Sequence, residues 1–296
     1  MNETRKKRFG DRRDGYRIRN LSATTTASIR FMRSRLEAQV FSSFDVDLTK
    51  TEAFMRDHKD DLKGISLQTI LFSALVRTYA KYPRCGRFIV GKKLFGRDYT
   101  RINMMVKPTY DEDDEEVLLT MNFNRGETLK EVINIYNESL EKTLSEASIK
   151  KQEAEKGFKG PIKWLIGNID MIGAKLSGLV MFIDKRRLLP ASLMEISPFH
   201  GNAFFTNVGS IGLGEAIHHL YEFGTVSLFI GIGSKNKKMV FSKNGLEKKS
   251  ILHLSITVDE RICEGYYWAG AMRTMKRLVE NPELLMVPPV KIRKDN

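Results

Sequence analysis

Apolar residues recur at helical spacing at Ile29, Met32, Leu36 and Val40, which predicts an amphipathic helix over residues 26–38. Directly after it the period changes to two. Phe44, Val46 and Leu48 alternate with Ser43, Asp45 and Asp47, the pattern of a strand with one buried face. Thr49 and Glu52 have capping-box spacing and predict that the next helix starts there. A further helix is expected from Ser66 to about Tyr82, where Pro83 ends it. Strands are expected near residues 87–95 and 101–107, and Val117, Leu119, Met121 and Phe123 share one face of another. Leu129, Val132, Ile133, Tyr136, Leu140 and Leu144 predict a long helix from about Thr128 to Glu155, with Gly157 and Gly160 at its end.

The segment 161–183 also reads as helical, with Gly167, Gly173 and Gly178 allowing close approach to a neighbour. Its apolar surface suits a core helix, or one that faces a partner or a membrane surface. The last third is strand-rich, with strands at 203–208, 225–232, 238–242 and 252–258 and a closing helix over 266–280 before Asn281-Pro282. Helices and strands alternate irregularly. That order predicts an α/β (α+β) fold with a mixed sheet covered by helices, not a doubly wound parallel one. Six consecutive acids, Asp111 to Glu116, read as the exposed loop of a hairpin.

Composition narrows the function classes. With 17 Phe and 9 Tyr in 296 residues, most of the chain has too much apolar surface to remain disordered. Its only two cysteines, Cys85 and Cys263, are too few for a disulfide framework, so a reducing compartment and a cytoplasmic location are expected. The longest uncharged run in the most apolar stretch, Leu176 to Ile183, is far short of the roughly 20 residues of a membrane span. Arg5, Lys6, Lys7 and Arg8 have no apolar core behind them and so make no secretory signal. The net charge of +13 is concentrated at the start, where residues 1–20 hold eight Arg or Lys against three acids. Residues 1–15 read as a flexible basic arm, 16–290 as a single domain and 291–296 as a basic tail. The arm has no interleaved aromatics beyond Phe9 and Tyr16, so nucleic acid is not an expected partner, whereas an anionic small molecule fits the charge.

Ordinary catalytic motifs are missing. There is no phosphate-binding Gly-x-x-x-x-Gly-Lys-Ser/Thr loop and no Cys-x-x-Cys pair, and no metal site is expected. Gly231-Ile232-Gly233 follows a strand, but Ser234-Lys235-Asn236-Lys237-Lys238 does not open a helix, so it is not a dinucleotide fingerprint. The informative stretch is Ser255-Ile256-Thr257-Val258-Asp259-Glu260-Arg261-Ile262-Cys263-Glu264-Gly265, followed by a helix ending in Asn281-Pro282-Glu283-Leu284-Leu285. It resembles the acyltransferase core of 2-oxo acid dehydrogenase complexes, the dihydrolipoamide acyltransferase family with the chloramphenicol acetyltransferase-like fold. Arg19-Asn20-Leu21-Ser22 before Ile29-Arg30-Phe31-Met32 is similar to that family's opening, and Phe44-Asp45-Val46-Asp47-Leu48-Thr49 to its first long strand. Phe204-Phe205-Thr206-Asn207-Val208-Gly209-Ser210-Ile211-Gly212 is similar to its Phe-Thr-Ile-Ser-Asn-Leu-Gly segment. The resemblance runs in order over about 16–290, apart from an insertion at roughly 157–199.

It implies acyl transfer between coenzyme A, or another thioester, and a thiol or other acceptor, in a homotrimer with the site between subunits. It also implies a stand-alone core with no lipoyl or subunit-binding domain and no covalent lipoyl group. In the family a His in His-x-x-x-Asp-Gly takes the proton of the attacking thiol. Glu260 matches that His here, and Glu264 matches the Asp. An ordinary glutamate titrates near 4.3 and a thiol near 8.5, so proton transfer between them is uphill by about 5.7 kcal/mol, against about 2.7 for His. Desolvation of a buried glutamate removes that deficit. Two readings follow from the substitution: an acyltransferase with a retuned base, or a degenerate member that keeps the fold as a binding or assembly module. Thr206 or Asn207 falls where the family places an oxyanion-donating hydroxyl. Other candidate bases are His200, His218 and His219, in loops around that strand. His253 shares a strand face with Ser255 and Thr257, while His58 sits in a charged helix and reads as a surface residue.

Overall fold

The computed structural model describes residues 5–108, 116–155, 169–214, 216–242 and 245–295. Its centre is a six-stranded mixed sheet in the order β2-β9-β8-β7-β5-β6, from β2 (Gln39–Asp47), β5 (Tyr99–Val106), β6 (Val117–Asn124), β7 (Ala203–Asn207), β8 (Leu228–Ser242) and β9 (Gly245–Asp259). β7 runs parallel to both of its neighbours, and every other pairing is antiparallel. A small antiparallel sheet, β1-β4-β3, joins β1 (Tyr16–Arg17) to a hairpin of β3 (Phe88–Val90) and β4 (Lys93–Gly96).

The main core lies under one face of the large sheet, against α3 (Leu67–Lys81), α4 (Leu129–Glu155) and α7 (Gly265–Glu280). α3 is apolar nearly all round, with Ile70, Leu71, Phe72, Leu75, Val76 and Tyr79 fully buried, which suits a central helix. Ser66 and Thr69 cap it reciprocally, and Pro83 opens a short 3-10 turn to Gly86 that ends it. The opposite face of the sheet carries a smaller cluster of Phe204, Leu220, Val226 and Phe229.

Several elements differ from the pattern of the sequence. α1 (Ala23–Phe31) starts earlier than expected and ends at Met32, where the backbone becomes extended. Leu36 and Val40 therefore leave the helix and are exposed, while Arg35 turns inward and is buried. β2 begins at Gln39 and pairs with β9 along its whole length. α2 (Thr49–Asp57) starts where expected, but its capping box does not form. Asp47 accepts from Thr49 N and Oγ1 at 2.9 and 2.6 Å, and Glu52 binds Lys235 and Ser250 instead. The expected strand at 87–95 is the β3–β4 hairpin, and the two strands at 225–232 and 238–242 are the single strand β8 with a register shift between Ile232 and Lys235. At that irregularity Gly233 passes so close to the Gly214 carbonyl that a Cβ would collide with it.

Part of the 161–183 segment belongs to α5 (Ile169–Lys185), which is followed by the short α6 (Ala191–Glu195). Over its described side chains α5 is not a core helix: Leu179 and Phe182 are exposed, and a Cβ at Gly178 would meet nothing. Among the described residues no helix is long and apolar enough to cross a membrane. The acidic run through Glu115, Gly157, Gly160, Gly167 and positions 161–168 lie outside the described residues.

Both chain ends pack onto the domain. Arg12 and Asp14, within the basic arm, enter a buried ionic network: Arg12 bonds Asp14 and Asp184 at 2.8 and 2.7 Å, and Arg97 bonds Asp14 at 2.8 Å. At the other end Asp295 accepts from Arg87, and Arg293 N donates to the Ala80 carbonyl. Burial alone would raise the Asp14 carboxyl, but Arg97 and Arg12 outweigh it and hold it well below the carboxylate range. Asp184 is likewise lowered, with burial opposed by His200 and Arg12. Stability from both carboxylates is therefore fully present above an ordinary aspartate pKa of about 3.9, and is lost as pH falls toward their depressed native values. Urea denaturation should give a midpoint that falls steeply between pH 4 and pH 2. Asp14→Asn should lower the midpoint at pH 7 and flatten that acid limb.

Candidate active site

β9 ends at Asp259, and the chain turns through Glu260 to Glu264 before α7 begins at Gly265. Asp259 has no accessible surface. A buried carboxylate needs charge partners and hydrogen bonds. Arg261 supplies a bidentate pair, Nε to Oδ1 at 2.8 Å and Nη2 to Oδ2 at 2.7 Å, and Arg35 Nε lies 3.5 Å away on the other side. Arg35 in turn donates to the carbonyls of Tyr221, Ile89 and Gly224. One carboxylate thus fixes the motif turn against three distant segments of the chain.

Glu260 points away from this cluster. Its amide donates to the Ala38 carbonyl at 3.0 Å, while its side chain is exposed. Glu264 is exposed as well, 3.5 Å from Arg84 on the 3-10 turn after α3. Beside that contact the two cysteine sulfurs, Cys85 and Cys263, lie 4.0 Å apart, unbonded and buried. Burial pushes the Cys85 thiol well up, so it has no character of a nucleophile.

Thr206 and Asn207 end the short strand β7, partway along the sheet from the motif turn. Thr206 pairs with Gly231, which pairs with Ser255, five residues before Glu260. That offset is roughly 17 Å along the strands and about 10 Å across them. The structure therefore does not bring Glu260 and Thr206 together within one chain. Thr206 is half-buried. Asn207 caps the following 3-10 turn by accepting from Ser210 N at 3.2 Å. There the backbone of Gly209 passes the Gly233 carbonyl so closely that no Cβ would fit.

The histidines divide in the same way. His200 is buried, with Nδ1 2.8 Å from Ser197 Oγ and Nε2 3.6 Å from Asp184, so it belongs to the ionic network around Arg12. His218 lies flat on Phe229, which stacks on Phe204, and its carbonyl accepts from Thr257. It thus shares the second sheet face with Thr206. Its Nδ1 makes no hydrogen bond. His219 is exposed, with Nδ1 against the Leu220 carbonyl. His253 bonds Asp45 at 2.8 Å, and His58, half-buried, stacks on Phe54. Among the described residues no group of three His, Cys, Asp or Glu is placed to hold a metal ion.

The family model described as 2-oxoacid dehydrogenases acyltransferase (catalytic domain) matches residues 192–287, the stretch that holds both Thr206 and Glu260. Among solved structures, a dihydrolipoamide acetyltransferase of Azotobacter vinelandii aligns with TM-score 0.55 at 13% identity, over 91% of this chain and 94% of that one. The chain has the fold of the 2-oxoacid dehydrogenase acyltransferase catalytic domain. The cubic core of the pyruvate dehydrogenase multienzyme complex aligns equally well, with TM-score 0.55 at 14% identity and the same coverage. A probable dihydrolipoamide acetyltransferase of Listeria monocytogenes follows with TM-score 0.53 at 12% identity, over 89% of this chain and 94% of that one. In sequence, the dihydrolipoyllysine-residue acetyltransferase component of the pyruvate dehydrogenase complex of Rickettsia bellii is 22% identical over 126 residues. That match spans 40% of this chain and 27% of the relative.

Arg35 is the site residue that sequence reasoning missed. It falls within the 26–38 segment whose apolar spacing predicts a helix, and nothing in that local pattern marks it for burial. Asp259→Asn removes the one carboxylate between two buried guanidinium groups and should cost about 3–5 kcal/mol in chemical denaturation. Neither cysteine should react with Ellman's reagent in the native protein, and both should react once it is unfolded.

Proposed function

We propose that the chain is a thioester acyltransferase that moves an acyl group between coenzyme A and a thiol or other acceptor, working as a homotrimer with its site between subunits. The observation that carries this reading is the family match over 192–287, which spans the motif turn with its Asp259, Arg261 and Gly265 frame. Sheet register supports the assembly: Thr206 is aligned with Ser255, two strands across and five residues short of Glu260, so the two side chains do not meet within one chain and a neighbouring copy would have to supply one of them. β2 is an edge strand, and its exposed Val40 and Phe41 lie near exposed Phe31 and Leu36 in sequence, an apolar surface that a neighbouring subunit would cover.

In the Azotobacter vinelandii acetyltransferase, catalysis has been investigated through a serine, a histidine and an asparagine. Here Thr206, Glu260 and Glu264 take the matching places. Glu260 accepts the proton of the attacking thiol, and the thiolate adds to the thioester carbonyl. The Thr206 hydroxyl of the adjoining subunit donates to the tetrahedral oxyanion. Collapse then expels the leaving thiolate, which recovers the proton from Glu260. A glutamate serves as base for a thiol only where it is desolvated, and a subunit closing over the exposed Glu260 supplies that burial. The two buried, unbonded cysteines suit a reducing compartment such as the cytoplasm.

Release of free coenzyme A from acetyl-CoA with dihydrolipoamide, followed from pH 6 to 9, tests the chemistry. Glu260→Gln should lower kcat by at least about 100-fold, and Thr206→Ala by about 10²–10³-fold. Light scattering should give three times the 33.9 kDa chain mass. A monomeric mass would sink the shared site, and turnover no faster than the uncatalysed rate would reject this donor–acceptor pair and favour a binding-module role.

A further inference from the structure

Beside the motif turn, with Arg261 in its wall, lies a cavity of about 290 Å³. Its floor is formed by the buried Arg35 and Arg261, and its rim by Arg33, Lys92 and Lys185. Two acids also line it, and both are engaged. Asp184 faces Arg12 and His200, and Glu222 accepts from the Arg35 amide at 2.7 Å. On the floor, two guanidinium groups share the single carboxylate of Asp259. Arg35 Nε has only its 3.5 Å contact with Asp259, although the side chain is almost wholly buried. Burial works against the Arg35 charge and Arg261 adds repulsion, while Asp259 and Glu222 offset part of that. Among the described residues none of the three rim cations has an ion-pair partner.

The rim is also built by the backbone. The β3–β4 turn holds Gly91 at φ 57° and Lys92 at φ 59°, the left-handed pair that a two-residue hairpin turn requires. Lysine is disfavoured in that conformation, where Asn or Gly is the ordinary occupant. Gly91 meanwhile abuts the Lys185 carbonyl, at a distance where a Cβ would stand only 2.9 Å away. Turn and helix end are therefore apposed, with Lys92 and Lys185 on the same mouth.

We infer that this cavity binds a small oxyanion, a carboxylate or phosphate group of a compact organic molecule. An anion there supplies the negative charge that the rim cations lack, and the planar guanidinium groups of the floor match the geometry of either oxyanion. As a substrate subsite the assignment rests on the acyltransferase reading, and it makes one of the transfer partners an acid or a phosphate ester. As a binding site it stands without that reading.

Calorimetric titration of the full chain with succinate and with inorganic phosphate, each against chloride at matched low ionic strength, tests it directly. Saturable binding with one site per chain is expected. Lys92→Gly removes a rim charge while relieving the left-handed turn, so the variant should remain folded. Combined with Lys185→Ala, it should weaken binding at least tenfold, whereas Lys237→Ala on the distant β8–β9 hairpin should leave it unchanged. A preference for succinate assigns the site to a carboxylate, and a preference for phosphate to a phosphate ester. Absence of saturation above chloride would overturn the inference, as would an equal loss in Lys237→Ala. Anion binding without transferase activity would sink the transfer reading and leave the cavity assignment standing, and activity without anion binding would do the reverse.

Discussion

The fold around the motif turn depends on neutralising Asp259. A carboxylate with no accessible surface is tolerable only if cations and hydrogen bonds replace the water it has lost. Arg261 comes from two residues away, so half of that arrangement is local. Arg35 comes from more than two hundred residues earlier, and its remaining donors are spread over carbonyls of Tyr221, Ile89 and Gly224. The end of the central sheet, the β3–β4 hairpin and the segment before β8 are thereby fixed to one charge. The same requirement explains why α1 stops early: a helix through residue 38 would have carried Arg35 away from Asp259.

A second buried network has a similar architecture. Arg12, Asp14, Arg97, Asp184 and His200 join the amino-terminal arm, the small sheet and the end of α5. The two networks meet at the cavity, where Asp184 stands on one side and Arg35 and Arg261 on the other. This end of the sheet is therefore rigid and charged. Farther along the sheet, Thr206 and Asn207 lie beside a close backbone contact between Gly209 and Gly233 rather than on ions.

The substitution of Glu for a family His changes what the turn needs from its surroundings. A histidine accepts a proton near neutral pH while still in contact with water, whereas a glutamate does so only when water is withdrawn. In the single chain Glu260 is open to solvent.

Much of the fold was legible in the sequence. The period-two alternation of Val117 to Phe123 and the helical spacing of Leu129 to Leu144 gave their elements nearly to the residue. The motif Asp259 to Gly265 and the ordered segments before it pointed to the acyltransferase catalytic domain. These features are local, or are copied in order along a line, and a linear text preserves them. The errors share one cause. Leu36 and Val40 matched a helical period but follow a buried arginine, and Thr49 and Glu52 matched a capping box but bond Asp47, Ser250 and Lys235 instead. In both cases the outcome turned on charge or hydrogen-bond partners outside the local pattern, most of them far away in the chain. The sequence by itself determined which residues could form strands, helices and the motif turn, because those choices depend on neighbours a few positions apart. Only the tertiary structure decided which charges are buried together and which candidates for catalysis stand apart, because the cost of burying a charge depends on everything that surrounds it in space.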